Sequence, residues 1–430
     1  MSVLWQVPPM KAVPEGHSYP LTGRVAITGV GAVCSLGNSV REILLGLTSG
    51  KSGIKEISDF DADGFGCMAA QVKNPPSVKT DVNPQLARSM GKHLSLLLSP
   101  TEQALGSAGI GPGTFDPRDM GCFAGMGMVD YHVEDLLPAV VKSLDPSGNL
   151  DYDRFFPVGS REIYPLWPLA MLNNVAFCQA SIHFGLRGEN CVFSPHGDAG
   201  IQAVAEAVRV LEEGKAKVAL AGGVSEQVSE FSIARARLKG LIPPPGEGPE
   251  NRAVLGECGA MLVLEPFSAA QERGADILAL VGGFGFSCQR DEKGVFASEH
   301  AVSSAIRQAL VHAGLDPCRI DAIMLSSLNQ NELKAVRGIF GTDMESPAMV
   351  VTSRALGEMF AAGPILDAAI GLSFEEKTDL AALPGDLLCL PVQRGKRGGG
   401  SGIRRVLVNG ISYEGRCASM IIETGPGKNR

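Results

Sequence analysis

The side chains best placed for chemistry lie in one short stretch, Cys191-Val192-Phe193-Ser194-Pro195-His196-Gly197-Asp198. A hydroxyl, an imidazole and a carboxyl within a few residues are the parts of an acid/base or nucleophilic site. An apolar run that breaks sharply into a helix puts its turn residue at the helix N-terminus, where free N–H groups favour an anion. The residue at that tip is Gly197, which has no side chain. A second such break follows Met349–Thr352, at Ser353-Arg354-Ala355-Leu356-Gly357-Glu358. His196, Asp198 and Glu358 would face one another, either as a new acid/base trio or as mutually satisfied polar groups filling a dead pocket. Asp198 also stands where it would cap the following helix, worth about 1 kcal/mol. Arg354 is spaced to pair with Glu358 one turn on. Cys191 lies within the apolar run and reads as a core thiol.

Other chemistries are poorly served. The ten cysteines are scattered singly, with no CxxC and no Cys/His cluster, so no metal site is expected. Isolated thiols of this kind suit a cytoplasmic protein. Gly29-Val30-Gly31 lacks the last glycine of a dinucleotide loop, since Cys34 stands in its place, so no cofactor is expected. The formal charge is −8 without a basic stripe, which argues against nucleic acid. No apolar run nears the roughly 20 residues a membrane span needs. Residues 1–22 are proline-bearing and aperiodic and read as a surface arm. Lys396, Arg397, Arg404 and Arg405 form a local basic patch, read either as solvated surface or as a contact for an acidic carrier protein.

The elements that must position these residues alternate along the chain. Arg24–Val33, Gly121–Gly127 and Lys217–Val224 are apolar runs without alternation, as in a sheet covered on both faces. Residues 84–109 predict a long helix. After the first break, Ile201, Val204, Ala207, Val208 and Leu211 share one helical face. The second half echoes the first: 278–287 repeats the opening strand, a helix follows at 299–314, and 405–415 repeats the run from Lys217. This predicts an α/β architecture of two matching halves, 23–265 and 266–430, whose breaks point into one cleft.

These segments resemble β-ketoacyl-acyl-carrier-protein synthases, the condensing enzymes of the thiolase fold. The resemblance spans Arg24 to about Glu423. It rests on the opening strand and GKSGI turn, on FGLRGEN before the first elbow, on LGECGAMLVLE (255–265) and on AVRGIFG (335–341). It implies a five-layer αβαβα fold of two pseudo-duplicated halves. It also implies that the catalytic positions have changed. Gly197 stands where the family elbow has its cysteine, Glu358 where it has its second histidine, and Ser353 where it has a lysine. No histidine lies in the HGTSTP-like region near Ser326–Asn329, and the gating loop has become Ser412-Tyr413-Glu414-Gly415. Ser194, His196, Asp198, Tyr413 and Glu414 would line the altered pocket.

Condensation needs a thiolate to hold the acyl group and donors that stabilise an enolate. Glycine cannot be acylated. An ionised Glu358 would oppose the oxyanion by about 4 kcal/mol at an effective dielectric near 20; a protonated one would need a strongly raised pKa. Relatives that lost the nucleophile include the chain-length factors of type II polyketide synthases. The resemblance to them implies a non-catalytic subunit paired with an active ketosynthase, meeting acyl carrier protein through the complex. Met126, Met128, Tyr131 and Val133 would then line the tunnel, or else serve as ordinary core. Two other readings stay open: an enzyme with altered acyl-transfer or hydrolytic chemistry at His196, Asp198 and Glu358, and a homodimeric acyl or acyl-carrier scaffold.

Overall fold

The computed structural model describes residues 24–60, 68–76, 78, 84–127, 129–130, 133–165, 167–170, 172–194, 196–225, 228–242, 254–292, 294, 296–326, 329–342, 346–374, 380, 382–388 and 403–424. The arm at 1–22, Met128, Tyr131, Pro195, Lys396 and Arg397 lie outside the described residues.

Ten strands form the main sheet. The first five are β1 (Val25–Cys34), β2 (Met120–Met126), β3 (Asn190–Phe193), β4 (Val218–Val224) and β5 (Cys258–Pro266). The second five are β6 (Ala279–Cys288), β7 (Ala322–Met324), β8 (Ala348–Val350), β9 (Arg405–Ile411) and β10 (Arg416–Thr424). Their spatial order is β3-β2-β4-β5-β1-β6-β10-β9-β7-β8. The duplication is visible in the pairing. β2 runs parallel to β3 and β4, while β4–β5 and β5–β1 are antiparallel. β7 runs parallel to β8 and β9, while β9–β10 and β10–β6 are antiparallel. The two sets meet only where Ala26 and Ile27 pair with Leu280 and Ala279.

Side-chain alternation builds the layers, because successive residues of a strand point to opposite faces. Cys122, Ala124 and Met126 pack with Leu96, Leu97 and Phe177, from helices α1 (Pro84–Ser107) and α2 (Asn173–Phe184). Phe123, Ala219 and Ala221 pack the other way, with Ile201, Val204 and Ile365. Those come from α3 (Ala199–Glu212) and α6 (Gly363–Leu372), the helices that follow the two breaks. Met324, Val406 and Val408 close the same core from the second half. Ile323, Leu407 and Ile421 face outward against α4 (Glu299–Ala313) and α5 (Gln330–Phe340). Because the two strand sets join only at the short β1–β6 pairing, each acts as a separate sheet, and the order helix, sheet, helix pair, sheet, helix is the expected five-layer αβαβα arrangement.

The apolar face of α3 buries Ile201, Val204, Ala207 and Leu211 as expected; Val208 is half-buried and Val210 replaces it. The two central helices can touch because Gly200 has no Cβ: a methyl there would strike the Ala361 carbonyl and the Ile365 side chain.

Candidate functional site

At the first elbow, β3 ends at Phe193 and α3 begins at Ala199. Ser194 is exposed; its Oγ accepts a 2.6 Å bond from Asn173 Nδ2 and donates to the Met126 carbonyl at 3.2 Å. His196 and Asp198 are buried. His196 Nε2 lies 3.1 Å from Glu414 Oε1, and its ring centroid is 4.4 Å from that of Tyr413. Burial lowers the His196 pKa to about 4 despite the opposing pull of Glu414. The ring is therefore neutral at pH 7 and donates from Nε2, leaving Nδ1 buried without a bond. Burial raises the Asp198 pKa, and Arg416, whose Nε lies 3.5 Å from Oδ2, pulls it back down.

Asp198 does not cap α3. Its backbone is already helical (φ −77°, ψ −19°) rather than extended as in a capping residue, and its carboxylate accepts from Gln202, one turn on. Gly197 has backbone against it: a Cβ there would stand 2.5 Å from the Ile411 carbonyl oxygen.

At the second elbow, the turn Ser353–Leu356 stops at Gly357 (φ +72°), so Arg354 and Glu358 do not share a helical face. The expected pair is absent. Arg354 instead donates to the Asp386 carbonyl, and Glu358 Oε1 accepts from the Phe360 amide at 3.2 Å. Phe360 holds the left-handed region at φ +45°, a strained place for an aromatic residue. A cavity of ≈ 10 Å³, room for about one water, is lined by Ser326, Thr352, Ser353, Glu358, Gly363 and Asp367 among others. Thr352 Oγ1 donates to Asp367 Oδ1 at 2.6 Å. Buried Glu332 accepts from the Ser326 amide and from Asn409 Nδ2, both at 3.0 Å. Burial raises Glu358 to about 7 and Asp367 to about 8, and Glu332 adds to both.

The expected trio is thus not assembled. Tyr413 lays its ring on His196 and meets Phe360, two residues past Glu358, edge-on at 5.7 Å. Glu358 belongs to a carboxyl group with Glu332 and Asp367, while His196 and Asp198 belong with Glu414, Lys239 and Arg416. The nearest thiol in sequence, Cys191, is half-buried on β3, packs against the central core, and has its pKa raised by burial. Met126 is fully buried at the end of β2 on the α1 side, whereas Val133 is exposed at the start of helix Val133–Val141. In the described part of the basic patch, Arg405 Nε is 3.7 Å from Glu423, and the amides of Arg404 and Arg405 both donate to the Asp321 carboxylate.

Glu332, Asp367, Lys239 and Arg416 were not singled out by their spacing. Asp367 had a signal, being the lone acid in an otherwise apolar helix, Gly363–Leu372. The others are ordinary charged residues in sequence.

A model of the β-ketoacyl synthase N-terminal domain matches residues 22–270. The chain belongs to the β-ketoacyl synthase family. Within this family it is 26% identical over 367 residues to 3-oxoacyl-[acyl-carrier-protein] synthase 2 of Coxiella burnetii, covering 81% of this chain and 85% of that protein. It is 29% identical over 314 residues to a protein of Streptomyces violaceoruber named for granaticin polyketide β-ketoacyl synthesis, covering 70% and 73%. The ishigamide ketosynthase/chain length factor superposes with a TM-score of 0.69 at 24% identity, covering 94% of this chain and 99% of that one. A β-ketoacyl synthase from Burkholderia phymatum superposes with a TM-score of 0.75 at 21% identity, covering 94% and 100%. The thiolase-like ketosynthase fold is shared with both.

Proposed function

We propose that this chain is a non-condensing ketosynthase-like subunit. In this reading it pairs with an intact ketosynthase and helps shape the acyl channel of a type II polyketide or polyene system. Gly197 carries the proposal. It takes the place of the acyl-accepting cysteine at the elbow tip, and a condensing enzyme without that thiolate cannot hold its acyl group. Glu358 for histidine, Ser353 for lysine and the histidine-free stretch near Ser326–Asn329 support the same reading. With Glu358 near 7, a fraction is protonated at neutral pH and could donate a hydrogen bond, but no acyl group would be held for it to act on.

In this reading the pairing surface is the sheet edge. β3 ends the sheet, and among the described residues no strand pairs with its outer side. Beside it α2 and the residue before it expose Ile182 (71%) and Leu172 (45%). An open edge next to exposed apolar side chains is the usual mark of association. Acyl carrier protein would reach the complex through the catalytic partner.

The test is co-expression with the products of the neighbouring genes and with an intact ketosynthase, followed by purification through a tag on this chain. A stoichiometric complex is expected. A stable homodimer that leaves the ketosynthase behind overturns the proposal. So does a covalent acyl adduct on this chain after incubation with acyl- and malonyl-carrier protein.

A further inference from the structure

We infer that the hairpin Ser412–Gly415 is a fixed plug that seals the first elbow against acyl thioesters, so that even a thiol restored at position 197 would stay out of their reach. This holds whichever partner the chain takes, and its failure would leave the pairing proposal standing.

The plug is held from several sides. On the elbow side, Glu414 bonds to His196 at 3.1 Å and the Tyr413 ring lies on the imidazole at 4.4 Å. Immediately before the hairpin, the Ile411 carbonyl occupies the space a Cβ of residue 197 would take. In the reverse direction, a Cβ at Gly410 would stand 2.5 Å from the Gly197 carbonyl oxygen. The contact is backbone against backbone, and it needs glycine on both sides. Towards the second elbow, Tyr413 meets Phe360 edge-on. Above, Lys239 Nζ sits 4.5 Å from the Tyr413 ring centre and 3.9 Å from Glu414. Behind, the Gln289 amide donates to the Gly415 carbonyl at 2.8 Å and Arg290 Nε to the Glu414 carbonyl at 3.3 Å. The turn closes on itself through the Ser412 amide and the Arg416 carbonyl at 2.9 Å. Asp198 and Arg416 add an ion pair beneath.

A loop that opens for substrate needs weak, solvent-facing contacts. This one is held by aromatic, half-exposed charged and backbone contacts to four separate elements. A phosphopantetheine arm would have to displace all of them to bring its thioester to the elbow.

Two measurements on the full chain test this. In the wild type, hydrogen exchange of the peptide spanning 410–416 should be as slow as that of β9. Exchange as fast as the exposed turn at 111–114 overturns the plug. In Gly197→Cys, alkylation by a chloroacetyl pantetheine probe is followed site by site by mass spectrometry, with exposed Cys288 and Cys318 as internal standards. The introduced thiol should react at least 100-fold more slowly than either. It should approach them when Tyr413→Gly and Glu414→Gly are added. Comparable labelling in the single variant overturns the inference. If Gly197→Cys does not fold, the exchange measurement decides alone.

Discussion

His196 Nε2 and Glu414 Oε1, 218 positions apart in the chain, lie 3.1 Å apart over the elbow. A neutral imidazole donates to a carboxylate whose own pKa is lowered: partial burial would raise it, but His196, Lys239 and Arg416 together outweigh that. The pair joins the two halves of the duplication at the first strand–helix break.

Acid should loosen this joint first. A histidine with a folded pKa near 4 and an unfolded value near 6.5 contributes no penalty above 6.5. Below that the unfolded state takes up the proton more readily, so stability falls from pH 6.5 towards 4. Glu414, lowered in the folded state, acts in the same direction as pH falls further. Taken as the difference between the wild type and His196→Gln, which cancels the opposing carboxyls of the second elbow, urea unfolding should show a loss of about 3 kcal/mol from pH 6.5 to 4. An unchanged slope in the variant would mean that other groups carry the acid dependence.

The carboxyls of the second elbow should act in the opposite direction. Asp367 and Glu358 hold their protons in the folded state to about 8 and 7. The stability they contribute is complete below the unfolded carboxyl pKa near 4. It is lost as pH rises from there through the folded values. Asp367→Asn keeps an acceptor for the Thr352 hydroxyl and cannot ionise. It should raise stability at pH 8.5 by about 1 kcal/mol or more and change it little at pH 4. A denaturation midpoint measured at both values checks this; a lower midpoint at pH 8.5 would refute it.

Glu257 should be costly to orphan. It is fully buried, accepts from the amides of Val72 at 2.7 Å and Val228 at 2.9 Å, and meets Lys92 Nζ at 2.9 Å. Lys92 also reaches Asp59 at 2.6 Å. Lys92→Met leaves a buried carboxylate without its cation and should cost about 3–5 kcal/mol. Adding Glu257→Gln to it should recover part of that loss, as a thermal melt of both variants would show.

Ile182→Asp should separate folding from association. The side chain is 71% exposed, so the isolated chain should lose no more than about 0.5 kcal/mol. If α2 and the β3 edge meet the ketosynthase, recovery of the complex in a pull-down should fall at least tenfold. Full recovery would move the proposed surface elsewhere.

Much of the architecture was legible from local pattern. Gly121–Gly127 and Lys217–Val224 are apolar without alternation because both faces of their sheet are covered, and that is a property of the run itself. The two elbows were legible for a related reason: each is an apolar run and a break ahead of a helix, amphipathic after the first and apolar but for Asp367 after the second. The missing side chain at Gly197 is likewise written in the chain.

What the tertiary structure decided is which groups share a site. Spacing put His196, Asp198 and Glu358 together, but Tyr413 and Glu414, more than 200 residues from the first two, take up His196 instead. Asp367 and Glu332 join Glu358 instead, from helices on opposite sides of the second sheet. Ile411 sets its carbonyl against Gly197 for a reason no local pattern carries. Packing two pseudo-identical halves back to back brings the end of β9 over the start of α3. Residue type determined that the tip of this elbow carries no side chain; only the close packing of distant backbone decided that it has no room for one.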